Sequence, residues 1–202
     1  MVKLFVEGGG DGDALKTECR KAFTKLLTEA GFGGRLPRVV ACGSRRNAFE
    51  QFCTALAAPT NTELAILLVD AESAVSHESP WQHVAEREGD KWARPRGATD
   101  DQLHLMVQCM EAWFVANPSA LKKFYGSGFH ESKLPASTVK PELMSKTDLF
   151  RKLSEATKDT KTKGRYGKGE HSFQLLATLS PSLIRAHCPW AARFFDTLKD
   201  KL

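Results

Sequence analysis

Six consecutive apolar residues, Leu64-Ala65-Ile66-Leu67-Leu68-Val69, run directly into Asp70-Ala71-Glu72. A strand that is apolar toward both sides has to be covered on both faces, which is the condition of an inner strand in a parallel α/β sheet. The start of the chain repeats the arrangement: Val2 to Val6 lead to Glu7, and then to Gly8, Gly9, Gly10, Asp11 and Gly12. A carboxylate at the end of such a strand has its backbone held by the sheet, while its side chain enters the crevice where open α/β sheets bind ligands. The glycines allow a turn with positive φ and keep the space above the strand clear of side chains.

Between and after these strands the pattern alternates. Leu15, Cys19, Ala22, Phe23, Leu26 and Leu27 recur at helical spacing and predict a helix from Asp13 to Ala30, capped by Asp11 or Asp13 and ended by Gly31. Leu36 to Cys42 reads as a strand, and Ala48, Phe49, Phe52, Cys53 and Leu56 as one face of a helix closed by Pro59. Ser73 to Asp101 is polar, with a short helix around Pro80 to Glu88, and its His77 and His83 read as a solvated face or a flap. Leu103 to Gln108 is a fourth strand, alternating enough to lie near an edge, followed by a helix up to Asn117-Pro118. Strand and helix in alternation predict a mostly parallel, Rossmann-like four-stranded sheet with right-handed crossovers, flanked by helices. Beyond it, three or four helices are expected: Ser119 to Tyr125, Lys146 to Thr157, His171 to Leu179, and Ser182 onward. The expected organisation is an α/β core over residues 1–117 and a helical extension over 118–202 that packs on it.

The 202 residues suffice for one well-buried core and its extension. The longest apolar runs fall far short of the ~20 residues that span a bilayer, and Glu7 interrupts the only apolar stretch near the start, so a cytosolic protein without a membrane association is expected. The five cysteines are scattered and unpaired in spacing, which argues against a disulfide framework or a zinc site. A net charge of +5 is mild, but the segment from Lys158 to Lys168 carries Lys158, Lys161, Lys163, Arg165 and Lys168 against a single acid, Asp159. That segment reads either as a phosphate-contacting loop, with Lys161, Lys163 and Arg165 on nucleic acid, or as a solvated surface loop.

If the two acid-terminated strands are parallel neighbours, Glu7, Asp11, Asp70 and Glu72 converge at one sheet edge. Carboxylates held that close repel unless a cation joins them. Hard oxygen donors without Cys or His favour Mg²⁺ or Mn²⁺. Glu111, just past the fourth strand and inside an apolar run, is either a further metal ligand or orienting base, or a capping or salt-bridged Glu. Arg45 and Arg46 share the same edge, to hold a phosphate or to pair with the acids. Lys168 and His171 stand at a loop-helix junction, either facing the metal site to hold a phosphate there or lying on the surface. The Gly-rich turn lacks both the G-x-x-x-x-G-K-[ST] and the G-x-G-x-x-G arrangement, which argues against ATP hydrolysis.

Val6-Glu7-Gly8 with Asp11, followed after an α/β interval by Val69-Asp70-Ala71-Glu72, resembles the Toprim domain of topoisomerases, primases and OLD-type nucleases. With Met110-Glu111-Ala112-Trp113 and Cys188-Pro189-Trp190 included, the chain resembles a bacterial family of stand-alone Toprim-like proteins found beside ABC- or SMC-type ATPases. The second acidic pair departs from the Toprim Asp-x-Asp, since Glu72 reaches one methylene further. The resemblance implies a Toprim-like core and a magnesium-dependent nuclease in which Glu7 is metal ligand or proton-transfer group. It also implies nucleic acid, DNA before RNA, as substrate, an anti-phage or DNA-processing setting, and an ATPase partner; it leaves room for a homo-oligomer. The competing expectation is a non-catalytic Toprim-like scaffold that binds an ATPase or nucleic acid. A third is a small phosphatase or nucleotide hydrolase on the same metal site.

Overall fold

In the computed structural model, which describes residues 1–58 and 63–202, the two acid-terminated runs lie side by side. β1 (Val2–Val6) and β3 (Leu64–Asp70) pair in parallel, Val2 against Leu64 through Val6 against Leu68. β2 (Arg38–Ala41) joins β1 and β4 (Leu103–Met106) joins β3, both also parallel, giving the order β2-β1-β3-β4. The sheet is therefore parallel throughout. Its connections lead outward in opposite directions from β1 and β3, so the gap between the carboxyl ends of these two strands is the topological switch point, where such sheets open a crevice.

Alternate residues of the two inner strands supply two cores. Leu4, Val6, Ile66 and Leu68 face one side, packed under α1 (Asp13–Leu27) with Cys19, Phe23, Leu26 and Leu27. Phe5, Ala65, Leu67 and Val69 face the other, with Phe52 of α2 (Arg45–Ala57) and Trp81 and Val84 of α3 (Pro80–Glu86). This two-sided coverage explains why the run from Leu64 is continuously apolar. α1 passes into a π-helical turn, Thr28–Phe32, which Gly31 makes possible with φ of 95°. Pro59, expected to close α2, lies outside the described residues.

The remaining helices are α4 (Glu111–Val115), α5 (Pro118–Tyr125), α6 (Lys146–Thr157), α7 (Ser172–Leu176), α8 (Pro181–His187) and α9 (Pro189–Lys201). The expected last helix is divided, because Pro189 cannot continue α8 and instead begins α9. These helices enlarge the first core through Trp113, Leu149, Leu153, Leu176, Ile184, Phe194 and Phe195. β4 is an edge strand, as expected, but its four residues are all buried. α9 packs on it, and Arg193 donates to the Leu103 and Asp100 carbonyls at 3.0 and 2.6 Å. An open edge is thereby covered. Among the described residues no helix is long and apolar enough to cross a membrane.

Candidate metal centre

The parallel register brings Glu7 to the end of β1 beside Asp70 at the end of β3. Glu7 Oε2 accepts the Asp70 backbone N–H at 3.1 Å, so the first carboxylate is oriented by the backbone of the second. Glu72 follows on a left-handed backbone with φ of 66°, its N–H donating to the Gln108 carbonyl at 2.7 Å. A non-glycine residue held in that region costs on the order of 1–3 kcal/mol and is typical of sites that fix a side chain. One carboxylate oxygen each from Glu7, Asp70 and Glu72 lies within 4.8 Å of the others.

The floor of the site is made by the glycine turn. Gly8 and Gly43 exchange N–H···O bonds of 2.9 Å, which ties the end of β1 to the loop before α2. Gly43 has φ of 77°, and a Cβ on it would collide with the Gly10 carbonyl. The space above is a cavity of about 210 Å³ lined by Glu7, Asp70, Glu111, Lys168 and Ser172 together with Gly8 to Gly10.

Glu111 is fully buried at the start of α4 and faces this cavity. Its Oε1 accepts the Tyr166 hydroxyl at 2.7 Å, and Tyr166 is in turn 3.0 Å from Ser172 Oγ. Its Oε2 has no hydrogen-bond partner, one of two such buried side-chain atoms among the described residues. A buried carboxylate oxygen without a partner is costly. Asp70 Oδ1 accepts the Met110 backbone N–H at 2.9 Å. Burial, with Glu7 and Glu111 nearby, raises the Asp70 carboxyl well above its ordinary range, and Lys168 offsets this only in part. Burial also raises Glu7, opposed by the Arg45 guanidinium and the Asp70 N–H.

The other expected residues separate clearly. Asp11 is exposed in the glycine turn and does not join the three-carboxylate group. Arg45 is engaged entirely by the protein: Nε and Nη2 clamp Asp90 at 2.7 and 2.6 Å, and Nη1 donates to the Asp70 carbonyl and to Glu7 Oε2. Burial works against the Arg45 charge, but Asp90 and Glu7 outweigh it and hold the guanidinium ionised. Arg46 is exposed and pairs with Glu50. Lys168 lines the cavity, whereas His171 does not; His171 is buried and meets the Tyr125 hydroxyl through Nδ1 at 3.2 Å. Lys161, Lys163 and Arg165 are exposed, Lys163 lying 4.8 Å from the Phe124 ring centre. His83 is buried rather than solvated, its Nε2 2.9 Å from the Ala71 carbonyl.

Three contributors carried no signal in the sequence. Asp90 sits in the polar stretch before β4, yet its side chain is 1% exposed and anchors both Arg45 and Arg87. Lys146, at the start of α6, forms an ion pair with Glu72. Tyr166 lies inside the basic segment but turns inward to Glu111. Each becomes visible only when segments far apart in the chain are brought together.

No curated protein and no solved structure matches this chain. Residues 6–199, a span that runs from the last residue of β1 to within α9 and includes every carboxylate of the site, match one family, and the chain belongs to it: the domain of unknown function DUF4276.

Proposed function

We propose that the chain is a metal-dependent phosphodiesterase of the Toprim type, a nuclease using Mg²⁺ or Mn²⁺. The observation that carries this reading is the convergence of Glu7, Asp70 and Glu72 within 4.8 Å, with the unpartnered Oε2 of Glu111 buried in the adjoining cavity. The donor set is all carboxylate oxygen, which suits a hard divalent cation. Glu7 and Asp70, both raised by burial and by neighbouring acids, are the groups that a cation would relieve of repulsion.

Glu7, Asp70 and Glu72 would hold the cation, with Glu111 completing the set from the cavity side. A cation bound there supplies charge neutralisation at the scissile phosphate and a more acidic attacking water. The chain's own residues do the rest. The Asp70 N–H and Arg45 orient Glu7 as ligand or proton acceptor, Lys168 brings a positive charge to the cavity that receives the phosphate, and Gly8 to Gly10 leave that space open to the backbone of a substrate. A nucleic-acid substrate and an ATPase partner follow from the Toprim resemblance, a cytosolic setting from the short apolar runs, and all three belong to the same proposal.

A scaffold reading draws on a different observation: Glu72 already carries Lys146, and Glu7 already carries Arg45, so part of the negative charge is neutralised within the chain. Thermal melting under Mg²⁺ or Mn²⁺ titration, with plasmid cleavage on the same samples, separates the two. A metal-dependent rise in melting temperature in the wild type that Glu7→Gln and Asp70→Asn both lose, together with loss of cleavage, supports the nuclease. Identical melting of all three proteins at every metal concentration removes the cation site and leaves the scaffold.

A further inference from the structure

Glu7 separates two cavities. On one side is the 210 Å³ space with Asp70, Glu111 and Lys168; on the other is a cavity of about 610 Å³ walled by Arg45, Arg46, Arg87, Glu50, Glu72, Asp90 and Trp92. Ligand sites generally occupy roughly 300–1,000 Å³. The smaller space falls below that range and suits a cation with a phosphoryl group, whereas the larger one admits a nucleotide-sized portion of a substrate.

The three arginines of the larger cavity face four carboxylates, Glu7, Glu50, Glu72 and Asp90, so it receives an anion only once the proposed cation sits on Glu7 and Glu72, through the arginines that are not fully committed. The buried Asp90 carboxylate serves two guanidiniums at once, Arg45 through two bonds and Arg87 through Nη1 at 2.9 Å. Arg46 bonds Glu50 through Nε alone, in a pair exposed enough to contribute little. Arg46 and Arg87 thus keep further N–H groups in the fork geometry that matches phosphate oxygens. Trp92 offers no platform for a base, since Phe49 stacks on its ring at 4.3 Å and Arg45 lies 4.7 Å from its centre. With the cation in place, what the cavity offers a substrate is the open N–H groups of Arg46 and Arg87, not a surface that reads bases.

We infer that this cavity is a second phosphate subsite, in which Arg46 and Arg87 take the backbone phosphate next to the scissile one. The substrate class is then a polynucleotide strand lying across Glu7, and not a mononucleotide or a phosphomonoester. Arg45 is the wall of the subsite and makes no phosphate contact. The inference rests on the phosphodiesterase reading and adds the substrate's extent to it.

The test compares two phosphodiesters on the full chain with Mn²⁺: bis(4-nitrophenyl) phosphate, which has no neighbouring phosphate, and a single-stranded oligonucleotide of a dozen or so residues. The readout is the ratio of their kcat/KM values in the wild type, Arg46→Gln, Arg87→Gln and the double variant. Arg46 is exposed and its replacement leaves the fold intact, so it keeps the test decisive should Arg87→Gln melt early through loss of its Asp90 bond. The expected result is a fall in the oligonucleotide-to-diester ratio of about tenfold per arginine, as for one charge-assisted contact. That fall should be carried by KM, and the salt dependence should become shallower by about one phosphate contact per arginine. An unmoved ratio in the double variant, or an equal loss on both substrates, overturns the subsite while the phosphodiesterase reading stands. Absence of hydrolysis of either substrate by the wild type overturns the reading and the subsite with it.

Discussion

The carboxylates above β1 and β3 and the polar groups that anchor α9 each combine buried and half-buried side chains, and they differ in how they are satisfied. At α9, both oxygens of Glu142 accept backbone N–H groups of Trp190 and Ala191 at 3.0–3.2 Å, which caps the helix. Arg193 donates to two carbonyls and, at 3.0 Å, to His104 Nδ1, whose other nitrogen meets the Asp101 carbonyl. The buried carboxylate and imidazole there, Glu142 and His104, have partners on both of their polar atoms. Above β1 and β3, three carboxylates face one another, and Glu111 Oε2 has none. Burial with full satisfaction builds structure. Clustered acids with one oxygen unpartnered cost stability, a cost that the proposed cation would offset.

Replacing one residue in each cluster should therefore give opposite results. Asp70→Asn removes one of three like charges, and the expected outcome is loss of Mn²⁺-dependent cleavage by on the order of 10²-fold or more, with a melting temperature equal to or above the wild type. A lower melting temperature with activity retained would break the comparison. Arg193→Ala should do the reverse. It strands the Leu103 and Asp100 carbonyls and should destabilise by about 2–4 kcal/mol in denaturant unfolding, while cleavage per folded molecule persists.

The α9 cap also carries a pH signature. Burial raises the Glu142 carboxyl from 4.5 to about 7, against the Trp190 and Ala191 N–H groups that favour its charge. A carboxyl raised in the folded state contributes stability below its ordinary range and loses it as pH rises through about 7. The loss amounts to about 3 kcal/mol between pH 4.5 and 7. Glu142→Gln should flatten that part of the stability profile. His104 works in the opposite direction, since burial, with Arg193 beside it, holds the ring neutral to about pH 3. Its contribution is complete above the ordinary value of 6.5 and is lost as pH falls toward 3, so His104→Asn should reduce acid sensitivity in the same unfolding series. At the proposed metal centre of the wild type, Mn²⁺ at a hundred times its dissociation constant should stabilise by about 2.7 kcal/mol, and Glu7→Gln should cancel the gain.

Much of the scaffold was legible from apolar patterning. The run from Leu64 demanded coverage on both faces, and the helices over Asp13, Arg45 and Lys146 followed from residues spaced along one side. Glu7, Asp70 and Glu72 were readable as partners because each ends or follows an inner strand, and parallel pairing leaves such ends together. Asp11 is equally acidic and equally close in the chain, but a glycine turn does not fix direction as a sheet does, and its side chain is exposed. The basic segment shows the same limit: Lys168 reaches the cavity while Lys161, Lys163 and Arg165 remain outside it.

By itself the sequence determined the α/β class, the two inner strands and the positions of the acids, because hydrophobic period and strand ends are local properties of the chain. The tertiary structure alone decided which charges are committed and which are free. Arg45 is bound to Asp90 across 45 positions, Glu72 to Lys146 across 74, and Glu111 to Tyr166 across 55. Such pairings depend on which distant segments the packing of the helices brings into reach, and no local pattern encodes them.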